Sequence, residues 1–428
     1  MHPGDRLQQL PPQCHWALAD SALVQSIAKG KPVRRGLAGT NLTLLVKLFA
    51  QLRLTNLLIF AVGAFELGKL LLRQSRKADL NGEIRLVLAE SPYPTTFFVG
   101  FGAGAEESLF TGYMARKGLP VARVDQTKVE SMGQWHRVGV LQALASLMHS
   151  HTLARQAIAS LPEEYGPWKV DFQTYVGMQL GYFSFVNAWF AKLKENAPGL
   201  IEVCFLSPDT AAFAAINIGL PTCFLQHGLI RHSLVLPMFD QVDALTHDEI
   251  THIRRRLPTA NIRLARPVMT SIARRNPRCI LVASVYGHHE ELRRIIPVIE
   301  YMSELGLTIY MRPHPREDRE FWQSGNLPSV VKLEDSDTSF DAALERLRPS
   351  LVVSWFSTAL VDALYRGIIP VSVSAGDDPN VADMVYPLFS RCLQCPQDAG
   401  VLERLLDDDK YYDSVLSRLR DGLDEAWA

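Results

Sequence analysis

The stretch LVVSWFSTALVDALYRGIIPVSV, Leu351 to Val373, reads as a strand, a helix and a second strand in succession. Its two ends, Leu351–Ser354 and Ile368–Val373, are short apolar runs rich in β-branched residues. Between them, Thr358–Tyr365 has helical spacing, and Gly367 supplies the stop that a helix commonly takes. Two apolar strands joined through a helix belong side by side and parallel, with both faces of their sheet covered.

The same alternation extends outward. Cys279–Val285, Leu307–Met311 and Val330–Leu333 are expected strands. His289–Leu305, closed by Gly306, and Ser339–Leu347 are expected helices. Nearer the N-terminus the expected strands are Ile84–Leu88, Val121–Val124, Ile201–Leu206, Pro221–Leu225, Val242–Thr246 and Ile262–Ala265. A Pro- and Gly-rich loop is expected from Ser91 to Gly104, and helices over 134–160, 170–195 and Thr210–Ile218. The aromatic residues of 170–195, among them Phe172, Tyr175, Tyr182, Phe183, Phe185, Trp189 and Phe190, recur at helical spacing and read as core. Residues 1–80 read as helical. The chain is therefore an α/β protein with a helical region at 1–80, a Rossmann-like domain at 81–270 and a second at 271–428. In such sheets ligands bind beyond the carboxyl ends of the strands, so chemistry is to be sought there.

Composition narrows the class. With 44 basic and 45 acidic side chains the net charge is -1, which argues against nucleic acid as the partner. Of the six cysteines, most lie in apolar runs such as Val203-Cys204-Phe205 and behave as small hydrophobes. Cys392 and Cys395 have CxxC spacing without a second pair or a histidine cluster, so a reducing, cytoplasmic setting is the default. No secretory signal opens the sequence. Thr55–Leu72 is the most apolar segment, interrupted by Glu66 and Lys69, and reads as a buried or interfacial helix. Arg34, Arg35, Lys47 and Arg53 precede it, an approach suited to peripheral contact with the anionic inner face of a membrane. An amphipathic core helix is the alternative.

Three segments at strand ends carry chemistry. In Met311-Arg-Pro-His-Pro-Arg-Glu317, two prolines fix the backbone around His314, and Arg312 and Arg316 flank it. A rigid histidine among cations suits a phosphate. In Val353–Asp362, a strand ends at Ser354, and Ser357 or Thr358 caps the next helix, whose first N–H groups offer an anion site. These two loops are expected on neighbouring strands of one sheet. In the first half, Phe224–His232 contains Gln226, His227 and Gly228; His227 is a candidate general base, and Gly228 allows close approach of backbone to ligand. Each segment also has an ordinary reading, as a turn, an N-cap or a structural histidine. His288 and His289 open a solvated helix, and no metal site is expected.

Together, the QHG element, the RPHP element and S-x-x-S-T-A-L-V-D resemble GT-B glycosyltransferases of bacterial surface-polysaccharide synthesis. The pattern is most similar to the families that use CMP-activated nonulosonic acids, the sialic acid and Kdo transferases of capsules and lipopolysaccharides. That resemblance covers about residues 200–375. It implies two Rossmann-type domains facing across a cleft, no bound metal or other cofactor, a nucleotide-sugar donor and a glycan or glycolipid acceptor. It places the donor phosphate on His314, Pro315, Ser357 and Thr358, with Arg312, Ser354, Gln226 and Gly228 in support. The sialic acid transferases take their base from an acidic pair followed by glycine, which is missing here. Glu106-Glu107 is the nearest substitute, with Glu90 and Asp125 as rivals. A CDP-polyol phosphotransferase of teichoic-acid type and a non-catalytic sugar-binding or assembly subunit are the alternative readings.

Overall fold

The computed structural model describes residues 2–19, 21–28, 37–51, 54–74, 96–100, 113, 121–125, 129–133, 135–226, 228–264, 275–284, 289–314, 317, 319–323, 327–334, 338–355, 357–373, 383–385, 393–394 and 399–424. The chain divides into two compact units, one built mainly on residues up to Arg263 and the other mainly on Leu264–Ala428. Each contains a six-stranded sheet.

The first sheet comprises β1 (Thr96–Gly100), β2 (Val121–Asp125), β3 (Glu202–Phe205), β4 (Thr222–Leu225), β5 (Gln241–Ala244) and β6 (Asn261–Leu264). Their spatial order is β2-β1-β3-β4-β5-β6, with parallel pairing from β2 through β5. Its helices include α1 (Leu37–Gln51), α2 (Thr55–Arg73), α3 (Val140–Ala159), α4 (Lys169–Asn196), α5 (Thr210–Asn217) and α6 (His247–Arg256).

One expectation is corrected here. The presumed loop Ser91–Gly104 contains β1, a strand buried at all five positions. Prolines before it and glycines after it disguised a run, TFFVG, that pairs with both β2 and β3. The strand expected at Ile84–Leu88 lies outside the described residues.

The aromatic residues of α4 form the core that was expected of them. Phe172, Phe183, Phe185, Trp189 and Phe190 are fully buried. Trp189 meets Phe97 of β1 edge-on at 6.1 Å, and its Nε1 donates to the Met132 carbonyl at 2.8 Å. Tyr175 and Tyr182 are only half-buried. Helix α2 lies along α4. Thr55, Ile59, Gly63 and Leu67 recur every four residues and are buried, while Leu57, Phe65 and Leu72 on the opposite side are exposed.

The second sheet comprises β7 (Asn276–Ala283), β8 (Thr308–Arg312), β9 (Val331–Leu333), β10 (Pro349–Ser354), β11 (Ile369–Ser372) and β12 (Leu393–Gln394). All are parallel, in the order β12-β11-β10-β7-β8-β9. Its helices include α7 (His289–Glu304), α8 (Phe340–Leu347), α9 (Thr358–Tyr365), α10 (Ala399–Asp407) and α11 (Asp409–Asp424). Gly306 and Gly367 follow α7 and α9 with φ of 71° and 76°, a left-handed conformation that favours glycine. Helix α11 is pinned beneath the sheet by Tyr412. Its hydroxyl donates to the Ser350 carbonyl at 2.7 Å and accepts the Ile369 N–H at 3.1 Å.

In both sheets the strand order reverses about the first strand. β8 and β9 lie on one side of β7, and β10 to β12 on the other. The crevice that such a reversal opens beyond the carboxyl ends falls between the loops after β7 and β10.

Candidate functional site

Arg312 ends β8, and Pro313 and His314 follow. The guanidinium of Arg312 is buried and donates to Thr338, to its backbone carbonyl and, at 3.4 Å, to its hydroxyl. It ties β8 to the segment leading into α8. His314 is half-buried, and its backbone is fixed from two sides. The N–H donates to Ser284 Oγ at 2.7 Å and to Glu317 Oε2 at 3.0 Å. The carbonyl accepts the Glu317 N–H at 2.9 Å. Glu317 Oε2 also accepts Trp322 Nε1 at 3.2 Å and the Ser284 hydroxyl. One carboxylate oxygen thus gathers donors from three places in the chain. This cage braces the loop more firmly than its prolines would alone.

On the other side of β7, Ser354 is buried and its Oγ donates to the Ala283 carbonyl at 2.7 Å. It locks β10 to β7. Ser357 is the N-cap of α9, its Oγ accepting the Ala359 N–H at 3.2 Å from an extended backbone. Thr358 is the first helical residue. Both are half-buried.

The expectation of neighbouring strands is therefore corrected, because β7 lies between β8 and β10. At about 4.8 Å per strand spacing the two loops stand about 10 Å apart. Ser284, at the end of that intervening strand, sits between them. Sequence reading assigned no role to Ser284, Glu317 or Trp322. Glu317 lay inside the quoted RPHPRE stretch, but its contacts come from residues up to 33 positions away.

In the first unit, Gln226 follows β4. Its side chain turns back to donate to the Gly228 carbonyl at 2.8 Å, and its N–H donates to the Asp243 carbonyl at 3.0 Å. Gly228 borders a cavity of about 350 Å³ at the carboxyl ends of β3 and β4, within the range of small-molecule sites. A side chain at this glycine would meet open space. Tyr175, Ser207, Asp209, Thr210, Phe224 and Arg231 line the same cavity. Arg231 forms no ion pair among the described residues. Asp209 caps α5, its Oδ1 accepting the Ala211 N–H at 3.0 Å. Burial pushes the Tyr182 hydroxyl far above its ordinary value, and the carboxylates of Asp209 and Asp125 add to the rise. Two carboxylates at the carboxyl edge of this sheet thus act on one tyrosine. Asp209 and Arg231 were missed from sequence, since nothing local marks them as lining a cavity.

His227, Glu106, Glu107, Glu90 and Pro315 lie outside the described residues, as do His288 and the Cys392 and Cys395 pair. Cys14, Cys204, Cys223 and Cys279 are free and buried, as the apolar runs around them suggested. Among the described residues no cluster of histidine, cysteine and carboxylate side chains could hold a metal ion.

No protein-family model and no curated protein matches this sequence. Solved structures show a likeness of fold. The glycosyltransferase SnogD from Streptomyces nogalater is 14% identical, with 77% of this chain and 94% of that chain covered and a TM-score of 0.45. The S. aureus MnaA–UDP structure is 10% identical, covering 77% and 92% with a TM-score of 0.44. Acinetobacter baumannii MurG is 10% identical, covering 77% and 95% with a TM-score of 0.40. At such identities and TM-scores the likeness carries no argument about activity, which has to rest on the residues.

Proposed function

We propose that this protein is a glycosyltransferase that takes a sugar from a nucleotide donor, a CMP-activated nonulosonic acid by the motifs it carries. One observation carries the reading. The Ser284–Glu317 cage presents His314 on one side of the second sheet's crevice, and the N-terminus of α9 at Ser357 and Thr358 lies on the other. In transfer, the bond between the sugar's anomeric carbon and the leaving phosphate breaks while an acceptor hydroxyl bonds to that carbon. Negative charge grows on the phosphate, and donors fixed in advance stabilise it most. His314 supplies a proton or a positive charge there, and Ser357 and Thr358 supply hydroxyl and N–H groups. Arg312, Ser354, Gln226 and Gly228 act through the loops they hold, and Pro315 stiffens the turn.

The acceptor is a surface glycan or glycolipid, taken by the first unit through the cavity beside Gly228. Its hydroxyl loses a proton to a carboxylate or to His227. Asp125 and Asp209 join Glu106 and Glu107 as candidates for that base. The enzyme works in the cytoplasm, peripheral to the inner membrane, and the exposed side of α2 supports that setting.

Thermal-shift titration with CMP, CDP, UDP and GDP tests the donor side, because a ligand bound only to the folded state raises its stability. CMP is expected to raise the melting temperature most, and His314→Ala is expected to remove both that shift and transfer. Full transfer by the His314→Ala variant sinks the assignment. Turnover of CDP-linked polyols in place of CMP-sugars moves it to the phosphotransferase reading.

A further inference from the structure

Fourteen large apolar side chains are exposed among the described residues, and eleven of them lie between Leu44 and Met148, on α1, α2, the residue before α2 and the first half of α3. Single exposed leucines need no explanation, but a concentration of this kind marks a surface that something covers. Leu57, Phe65 and Leu72 form one side of α2, the last 74% exposed. On α3, Leu141, Leu144 and Met148 share the side that carries Arg155 one turn and more further on, and Leu141 is 83% exposed. The two helices are joined where His151 Nε2 meets the Asn56 carbonyl at 3.1 Å and its ring meets Phe60 edge-on.

This apolar surface runs into a cavity of about 490 Å³ at the meeting of α2, α3 and α4, lined by apolar as well as polar groups. Asn56, Thr152, Arg155, Gln156, Lys169 and Gln173 line it. Neither Arg155 nor Lys169 forms an ion pair among the described residues. Two unpaired cations among amide and hydroxyl groups suit an anionic, oxygen-rich headgroup, and the adjoining leucines suit acyl chains.

We infer that the exposed sides of α1, α2 and α3 dock this protein on an anionic phospholipid bilayer, with the phosphate of one lipid headgroup held between Arg155 and Lys169. The inference rests on the peripheral-membrane part of the function proposed above and is independent of the transfer reaction. A second copy of the chain fits the surface less well. A two-fold interface puts the same patch on both partners, which gathers four positive charges into one interface. Nor does α2 cross the bilayer as a separate span, since Gly63 and Leu67 are packed against α4. The helices lie in the interface, apolar side inward and basic pocket at headgroup level.

Flotation of the full chain with phosphatidylcholine vesicles, with and without phosphatidylglycerol, tests this without any donor or acceptor. Binding is expected to need phosphatidylglycerol and to weaken with salt. Arg155→Glu combined with Lys169→Glu should cost at least about thirty-fold, the effect of losing two basic side chains at a charged surface, with the repulsion of two new carboxylates added. Leu141→Glu combined with Met148→Glu should lower binding to the phosphatidylglycerol vesicles as well. All four side chains are at least partly exposed, and circular dichroism of the variants should match the parent. Failure of the parent chain to float with either vesicle overturns the inference. So does a dimer in solution that Leu141→Glu dissolves, which would give this surface to a second copy. A loss of transfer with lipid binding intact would instead count against the catalytic reading alone.

Discussion

The carboxylate of Glu317 accepts the backbone N–H of His314 at 3.0 Å, while the His314 carbonyl accepts the Glu317 N–H at 2.9 Å. The two residues close the loop on each other three positions apart. Ser284 and Trp322 bind the same carboxylate oxygen from outside the loop. A negative charge spent on backbone and indole donors positions the histidine rather than the substrate.

Removal of that carboxylate is expected to loosen the loop without emptying the site. A hydrogen bond to a charged group contributes about 1.5–3 kcal/mol, and a tenfold change in affinity corresponds to about 1.4 kcal/mol. Glu317→Ala should weaken CMP binding by about tenfold or more by isothermal calorimetry. Glu317→Gln, which keeps an oxygen acceptor, should lose less. An Ala variant that binds as tightly as the parent would show that His314 needs no such brace.

Ser357 has two duties in the proposal, and two substitutions separate them. As N-cap of α9 its hydroxyl satisfies the Ala359 N–H. Alanine at an N-cap costs about 1 kcal/mol, and glycine only a few tenths. Ser357→Ala should therefore lower the denaturant midpoint more than Ser357→Gly. If the hydroxyl also meets donor phosphate, both variants should lose nucleotide affinity alike. Unchanged affinity in both leaves the residue a cap and nothing more.

What could be read from sequence follows a physical division. The strands β7 to β11 and the helices α7 to α9 were legible because each apolar run is local, and Gly306 and Gly367 mark helix ends at positive φ, whereas β12, α10 and α11 were not read. The loop after β8 was legible as a rigid turn for the same reason. β1 was not, since its burial depends on partners more than 20 residues away in β2 and over 100 away in β3. Nor was the strand order, which sets β7 between the two phosphate-suited loops and brings Ser284 into the crevice. The same limit hid Asp209 and Arg231. Their roles come from a cavity assembled by α4, β3 and β4, and no single segment records it.

The buried histidines predict how stability depends on pH. His252 is 2% exposed. Burial, with the positive charges of Arg256 and His232 nearby, lowers its pKa from 6.5 to about 3. Burial moves His15 and His136 in the same direction. The unfolded chain takes up a proton at His252 below about 6.5, and the folded chain does not until about 3. The stability tied to the neutral form is complete above 6.5 and is lost as pH falls between those values. Each tenfold change in proton affinity is worth about 1.4 kcal/mol, so the total is on the order of a few kcal/mol. Urea midpoints measured from about pH 7 to about pH 4 should fall steadily, and His252→Gln should flatten the fall. A flat profile in the parent chain would contradict the assignment.

The crossing of α2 and α4 makes the sharpest prediction about packing. A Cβ placed on Gly181 would stand 2.7 Å from the Glu66 Cβ, 2.8 Å from the Gly63 carbonyl oxygen and 2.9 Å from the Leu67 nitrogen. Two of these contacts are with helix backbone, which cannot rotate aside as a side chain can. Gly181→Ala must therefore push α2 off α4, although alanine is the better helix former by about 1 kcal/mol. Overpacking of this kind costs about 1–3 kcal/mol, so the clash outweighs the gain in propensity. Gly68 is a control on α2, because a Cβ there meets nothing within 4 Å. Thermal melting should show Gly181→Ala below the parent and Gly68→Ala at or above it. The Gly181 variant should also expose the Leu67 face of α2 and bind a hydrophobic dye. A Gly181→Ala variant as stable as the parent would mean that α2 docks on α4 less closely than this crossing requires.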